Sequence, residues 1–257
     1  MTYGRTSVAR ISYDQKTALA FQRAREVPRA GLNEWREAIE RHLKPRTGMR
    51  VLDIGAGTGA FTTALRDWFD VTVTAVEPAS AMRALIPAGP GIQILPGTAE
   101  ALPVGDAVAD GAWLSTVTHH IADLPAAARE LRRALRPRAP VLIRNVFPGR
   151  LDRLSLVRFF PEVRQIFDTY PSIAATGDAF ATAGFRQVAL ETVPQQNAPS
   201  LNEYAALIDR DADTGLRSLT DQQFAEGMAR LRAAAEAENA ASAPAPVVGY
   251  LDLLVLR

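Results

Sequence analysis

Asp53, Gly55, Gly57 and Gly59 stand at alternate positions, opening on the apolar run Val51-Leu52 and followed by Ala60-Phe61-Thr62-Thr63-Ala64-Leu65, which reads as a helix. A strand, a glycine turn and a helix bring bare backbone against a ligand at a helix N-terminus. Gly55, Ala56, Gly57 and Gly59 would form that turn. The glycines alone leave the ligand open, because Gly55, Gly57 and Ala60 also satisfy the loose dinucleotide fingerprint. Asp53 discriminates. A pyrophosphate on this turn would meet a like charge, whereas a cationic ligand would be attracted.

Further along, Glu77 closes a second apolar run and precedes Pro78. A carboxylate there can accept both hydroxyls of a ribose, or it is a surface group at a strand end. Met82 can pack on a base or in the core. His119 and His120 follow a fourth apolar run. If that strand continues through them, they point to opposite sides and only one faces a pocket. His120 is the candidate general base, with a packing role as the alternative. With His42 the only other histidine, no metal site is expected. Arg144 interrupts the apolar run Val141–Val146. A charge there is costly unless it has a task, so it is expected to bind an acceptor or orient His120. Phe159 and Tyr170 are candidate acceptor contacts, while Arg150, Arg153 and Arg158 read as a solvated face pairing with Asp152 and Glu162. A nucleophile elbow and a P-loop are both missing.

These residues carry a resemblance. Val51 to Gly59 resembles the first motif of class I S-adenosylmethionine-dependent methyltransferases. Gly97-Thr98-Ala99-Glu100-Ala101-Leu102-Pro103, His119-His120-Ile121-Ala122-Asp123 and Arg129-Glu130-Leu131-Arg132-Arg133-Ala134-Leu135-Arg136-Pro137 are similar, in order, to the ubiquinone/menaquinone-biosynthesis type of that superfamily. The resemblance spans Tyr13 to Phe147. It departs at Pro137-Arg138-Ala139-Pro140, where the group has Pro-Gly-Gly, and at Thr98, where an acidic residue is common. It implies S-adenosylmethionine as cofactor, held by Tyr13, Arg25, Asp53, Gly55, Ala56, Gly57, Gly59, Glu77, Pro78, Met82, Thr98, Ala99, Glu100, Ser115 and Thr116. Arg25 would face the methionine carboxylate, as a fixed cationic fork can. The acceptor would be a small molecule, methylated on oxygen or carbon and held by His119, His120, Arg144, Phe159 and Tyr170. An amphiphilic isoprenoid or polyketide-type metabolite would suit them. Two other readings stay open: a nicotinamide-dependent oxidoreductase using the same turn, and a non-catalytic cofactor-binding subunit.

The composition narrows the partners. A formal net charge of +1 over 257 residues supplies no field for a nucleic-acid backbone. Absent cysteine removes disulfides and thiolate metal sites and fits a reducing compartment, so a cytoplasmic location is expected. The chain is expected as a monomer or homodimer. The polar start, Met1 to Lys16, has no signal-peptide core, and no run of about 18 apolar residues predicts a membrane span.

The elements must put these residues on one edge. Strands are predicted at Arg50–Ile54, Val71–Val76, Ile92–Leu95, Gly111–Val117, Val141–Val146, Gln187–Val193 and Tyr250–Leu256. Helical patterns fall at Ala60–Trp68, Ser80–Leu85 and Leu124–Leu135. Such alternation argues for a parallel sheet covered on both faces. The implied fold is α/β, Rossmann-like, seven-stranded and mostly parallel with the last strand antiparallel. Two helices over Asp14–Leu43, with Trp35, Ile39 and Leu43 on one face, form an N-terminal cap (1–48). The cofactor core is 49–147, and helical additions at 148–185 and 198–242 lie on the acceptor side of a single domain. Within them, helices are predicted at Leu151–Phe160, Val163–Tyr170, Thr176–Ala183, Leu201–Ile208 and Asp221–Glu238.

Overall fold

The computed structural model describes residues 18–19, 29–241 and 244–257. Helix α1 (Asn33–Leu43) buries Trp35, Ala38, Ile39 and Leu43 on one face and ends where Lys44 turns left-handed, at φ 51°. Then come β1 (Arg50–Ile54), α2 (Ala60–Phe69), β2 (Thr72–Val76), α3 (Ser80–Arg83) and β3 (Ile92–Leu95). Next come β4 (Gly111–Ser115), α4 (Leu124–Ala134) and β5 (Val141–Asn145). Short helices α5 (Ser155–Phe159), α6 (Arg164–Phe167) and α7 (Ile173–Ala181) lead to β6 (Gln187–Ala198). Helices α8 (Leu201–Leu207), α9 (Thr214–Arg217) and α10 (Asp221–Ala240) precede the final strand β7 (Val247–Leu256).

The seven strands form one sheet in the order β3-β2-β1-β4-β5-β7-β6. All pairs from β3 to β5 are parallel, and β7 runs antiparallel to both β5 and β6. The expected class therefore holds. The chain reverses its direction of travel across the sheet between β1 and β4, so their C-terminal ends open the crevice where α/β sheets bind ligands.

Three apolar clusters hold this frame. One packs α4 and Phe180 and Phe185 on the sheet. Another packs α1 and α2, with Trp35, Leu65 and Trp113, on the opposite face. The third lies within the helical additions, around Phe160, Leu216 and Leu231. Two boundaries differ from expectation in ways that matter. β4 stops at Ser115 because Thr116 turns left-handed, at φ 51°. β6 runs five residues past Val193, through Pro194-Gln195-Gln196-Asn197-Ala198. That polar stretch has little strand propensity of its own, and pairing with β7 overrides it.

Candidate functional site

The glycine turn leaves β1 and enters α2, with Gly59 as N-cap at φ 86°. Two of its glycines yield to packing. A Cβ on Gly55 would lie 2.4 Å from Val117 Cγ2, and one on Gly59 2.8 Å from Ile86 Cγ2. The turn spends its own donors: Gly55 N and Ala56 N donate to Val76 O at 2.8 and 3.3 Å, and Gly59 N to Ala56 O at 2.9 Å. Gly57 N donates to Glu77 Oε2 at 2.9 Å. Gly55 and Gly57 line a cavity of about 770 Å³; Ala56 and Gly59 do not.

Asp53 departs from the expectation that it faces the ligand. It is buried and off the cavity wall, and Thr62 Oγ1 donates to its Oδ2 at 2.6 Å. It thus ties β1 to the first turns of α2. Burial pushes its carboxyl up to about 7, against the Thr62 hydrogen bond and with a smaller push from Glu77. Glu77 does line the cavity, just past β2. Its oxygens accept from Gly57 N and from Ala79 N, each at 2.9 Å, and burial raises its pKa. Pro78, Met82, Thr98, Ala99 and Glu100 continue the same wall. Glu100 also accepts from Ala122 N at 2.9 Å, which fastens the wall to the segment after the histidines. Tyr13 and Arg25 lie outside the described residues.

Across the crevice, Ser115 and Thr116 line the cavity where β4 ends. The chain then makes a 3-10 turn, Thr118–His120, in place of a continuing strand. The expectation that the histidines face opposite ways fails for that reason. Both line the cavity, with ring centroids 4.1 Å apart, and His119 stacks on Tyr170 at 4.0 Å with planes 3° apart.

The match to known proteins falls on this same edge. A methyltransferase-domain family model matches residues 52–143, from inside β1 to inside β5. Residues 52–143 are thus similar to the methyltransferase-domain family. A malonyl-(acyl-carrier protein) O-methyltransferase of Erwinia pyrifoliae is 34% identical over 148 residues, covering 55% of each chain. A ubiquinone/menaquinone biosynthesis C-methyltransferase of Rubrivivax gelatinosus is 31% identical over 105 residues, covering 40% of this chain and 41% of its own. The aligned region spans about half the length of the curated relatives it matches. A solved protein of Anabaena variabilis, assigned as a methyltransferase from antibiotic biosynthesis, superposes at a TM-score of 0.68 with 20% identity, over 86% of this chain and 95% of its own.

The rest of the cavity comes from beyond the matched region. Arg144 lines it at the end of β5, the only lysine or arginine to do so among the described residues. Its guanidinium donates to Ser115 Oγ at 3.1 Å and Gln195 Oε1 at 2.6 Å, and lies 5.0 Å over Trp35 and 5.4 Å over Phe61. Phe159 does not reach the cavity; it packs inside the helical additions beside Tyr204. The predicted pairing of the three later arginines is also corrected. Arg150 is held by both oxygens of Asp252 and by Thr192, Arg153 lies over Tyr250, and Arg158 over Phe159. Asp152 pairs instead with Arg164, and Glu162 with Arg230.

Sequence reasoning missed Asn145, Ser155, Gln195, Asn197 and Tyr204, all of which line the cavity. The alternating Gln195 and Asn197 were the available signal, since a strand would place both on one face. Among the described residues no helix is long and apolar enough to cross a membrane, and no group of three metal-ligating side chains occurs.

Proposed function

We propose that this chain binds S-adenosylmethionine along the ends of β1, β2 and β3 and transfers its methyl group to a small molecule held beside β4, β5 and the helical additions. The observation that carries this reading is the continuity of one cavity, from Glu77 and the glycine turn to Tyr170 and Leu251. A volume of about 770 Å³ lies toward the upper end for ligand sites and suits two molecules side by side.

The residues present fit the cofactor. The wall from Gly55 to Glu100 carries two carboxylates and no cation, and the turn's amides at 55, 56, 57 and 59 are already committed. That favours a cationic ligand and disfavours a pyrophosphate, which needs free N–H groups. Glu77 would accept ribose hydroxyls with its remaining lone pairs, Pro78 and Met82 would pack on the base, and Thr98 to Glu100 would meet its edge. Asp53 acts at one remove, by fixing the turn through Thr62. When bound, the cofactor supplies a methyl group already activated by its sulfonium, so alignment of the two partners does much of the work. His120 is the proposed proton acceptor where the nucleophile is a hydroxyl. The two curated relatives carry O- and C-methylation in their names, and the cavity is compatible with either.

The test is direct. Calorimetry should show S-adenosylhomocysteine binding and NAD(P)H failing to bind. Incubation with S-adenosylmethionine and metabolite extracts should yield a product heavier by one methyl in place of one hydrogen. Tight NAD(P)H binding without S-adenosylhomocysteine binding would return the oxidoreductase reading. Cofactor binding with no methylated product from any extract would favour a non-catalytic subunit.

A further inference from the structure

A row of four polar side chains crosses the acceptor side of the cavity. Arg144 donates to Gln195 Oε1 at 2.6 Å, Gln195 Nε2 donates to Asn197 Oδ1 at 2.9 Å, and Asn197 Nδ2 donates to Ser155 Oγ at 3.0 Å. All four line the cavity. Gln195 and Asn197 sit two apart on β6 and so share a face. The neighbouring strand makes room for them: Gly249 pairs with Gln195 in register, and a Cβ there would lie 2.7 Å from Asn197 Nδ2 and 2.8 Å from Ser155 Oγ.

The direction of this row is fixed from one end. A guanidinium can only donate, so the carbonyl of Gln195 must face Arg144. Its amide nitrogen then faces Asn197, whose nitrogen in turn faces Ser155. Three hydrogens are then left to donate: one on Gln195 Nε2, one on Asn197 Nδ2 and the hydroxyl hydrogen of Ser155. These donors are neutral, and Leu154, Leu156, Leu207, Ile208 and Leu251 line the cavity with them, with Asp209 and Asp213 its acidic groups on the same side.

We infer that the Gln195–Asn197–Ser155 row, oriented by Arg144, is the acceptor-recognition strip of this enzyme, and that it selects an uncharged apolar molecule edged with carbonyl oxygens. The inference rests on the methyltransferase reading above and specifies the substrate class of the same site. Arg144 acts as a positioning residue: its guanidinium is engaged with Ser115 and Gln195 and seated against Trp35 and Phe61, so it sets the strip's polarity. An anionic headgroup has no place in this scheme.

The experiment uses the full chain saturated with S-adenosylhomocysteine and two probes sharing one three-ring frame. Dihydroxyanthraquinone is neutral and edged with oxygens; anthracenecarboxylate is anionic. The unmutated protein should bind the quinone more tightly. The double variant Gln195→Leu/Asn197→Leu should lose about tenfold or more of that affinity, with carboxylate binding and S-adenosylhomocysteine affinity unchanged. Arg144→Met should erase the preference, and Arg144→Lys, which keeps a donor-only cation, should restore part of it. If the double variant fails to fold, Ser155→Ala should show a smaller loss in the same direction. Equal quinone affinity in folded variants, tighter binding of the carboxylate, or no quinone binding by the unmutated protein overturns the inference. Failure of S-adenosylhomocysteine to bind the unmutated protein would instead sink the methyltransferase reading beneath it.

Discussion

Asp53 is enclosed on all sides, and its charge state follows from that enclosure. Its folded pKa, about 7, lies above its ordinary value of 3.8. A raised acid pKa favours the folded state at low pH, so this stabilisation is complete below about 3.8 and is lost as pH rises through about 7. Asp53→Asn keeps an oxygen for Thr62 and removes the ionisation. Its melting temperature should therefore decline less than the unmutated protein's across that window, and identical slopes would show that Asp53 does not titrate there. The glycines divide by what they yield to. Gly55→Ala drives a methyl into Val117 at a positive φ and should cost on the order of 2 kcal/mol in urea denaturation. Gly57→Arg fills the cavity wall and should abolish S-adenosylhomocysteine binding with a loss of about 1 kcal/mol in stability. The spacing of these glycines was legible in the sequence. Their partners were not, because Val117 and Ile86 arrive from distant loops.

Among the elements, the ends of strands decided which side chains meet. The apolar cores of β1, β2, β4 and β5 were readable because strands buried on both faces are nearly continuous apolar runs. The last residues were harder. One left-handed residue, Thr116, ended β4 early and swung both histidines into the cavity. The polar end of β6 lies past the predicted strand, which stopped at Val193, and is paired with β7. Long-range ion pairs were equally hidden: Arg150 and Asp252 are 102 positions apart. Asp252 is only 4% exposed, so Arg150→Ala removes two charge-assisted donors from a buried carboxylate that keeps Thr192 Oγ1, and should cost about 1–3 kcal/mol. Arg153→Ala, which loses only a ring contact with Tyr250, should stay within about 0.5 kcal/mol. Comparable losses in the two variants would refute this assignment of the β7 contact.

For the whole molecule, a ligand that binds only the folded chain must raise its stability. S-adenosylhomocysteine at a hundredfold excess over its Kd should add about 2.7 kcal/mol, or roughly 5–10 °C in Tm for a chain of this size. It should also protect the 150–180 region from proteolysis, since Leu154, Ser155, Leu156, Phe167 and Tyr170 close one side of the cavity. Unchanged cleavage would mean a rigid, open wall. The two outer strands of the sheet carry a different consequence. β3 has only four residues, and β6 carries Pro194 and register irregularities between Gln187 and Ala189 and between Gln196 and Ala198. An incoming polypeptide finds no long, unbroken ladder at either side, even next to the exposed Val188. Fibrillar stacking through the sheet is thereby blocked in the backbone itself, and concentrated solutions should stay clear of cross-β material without help from a large net charge.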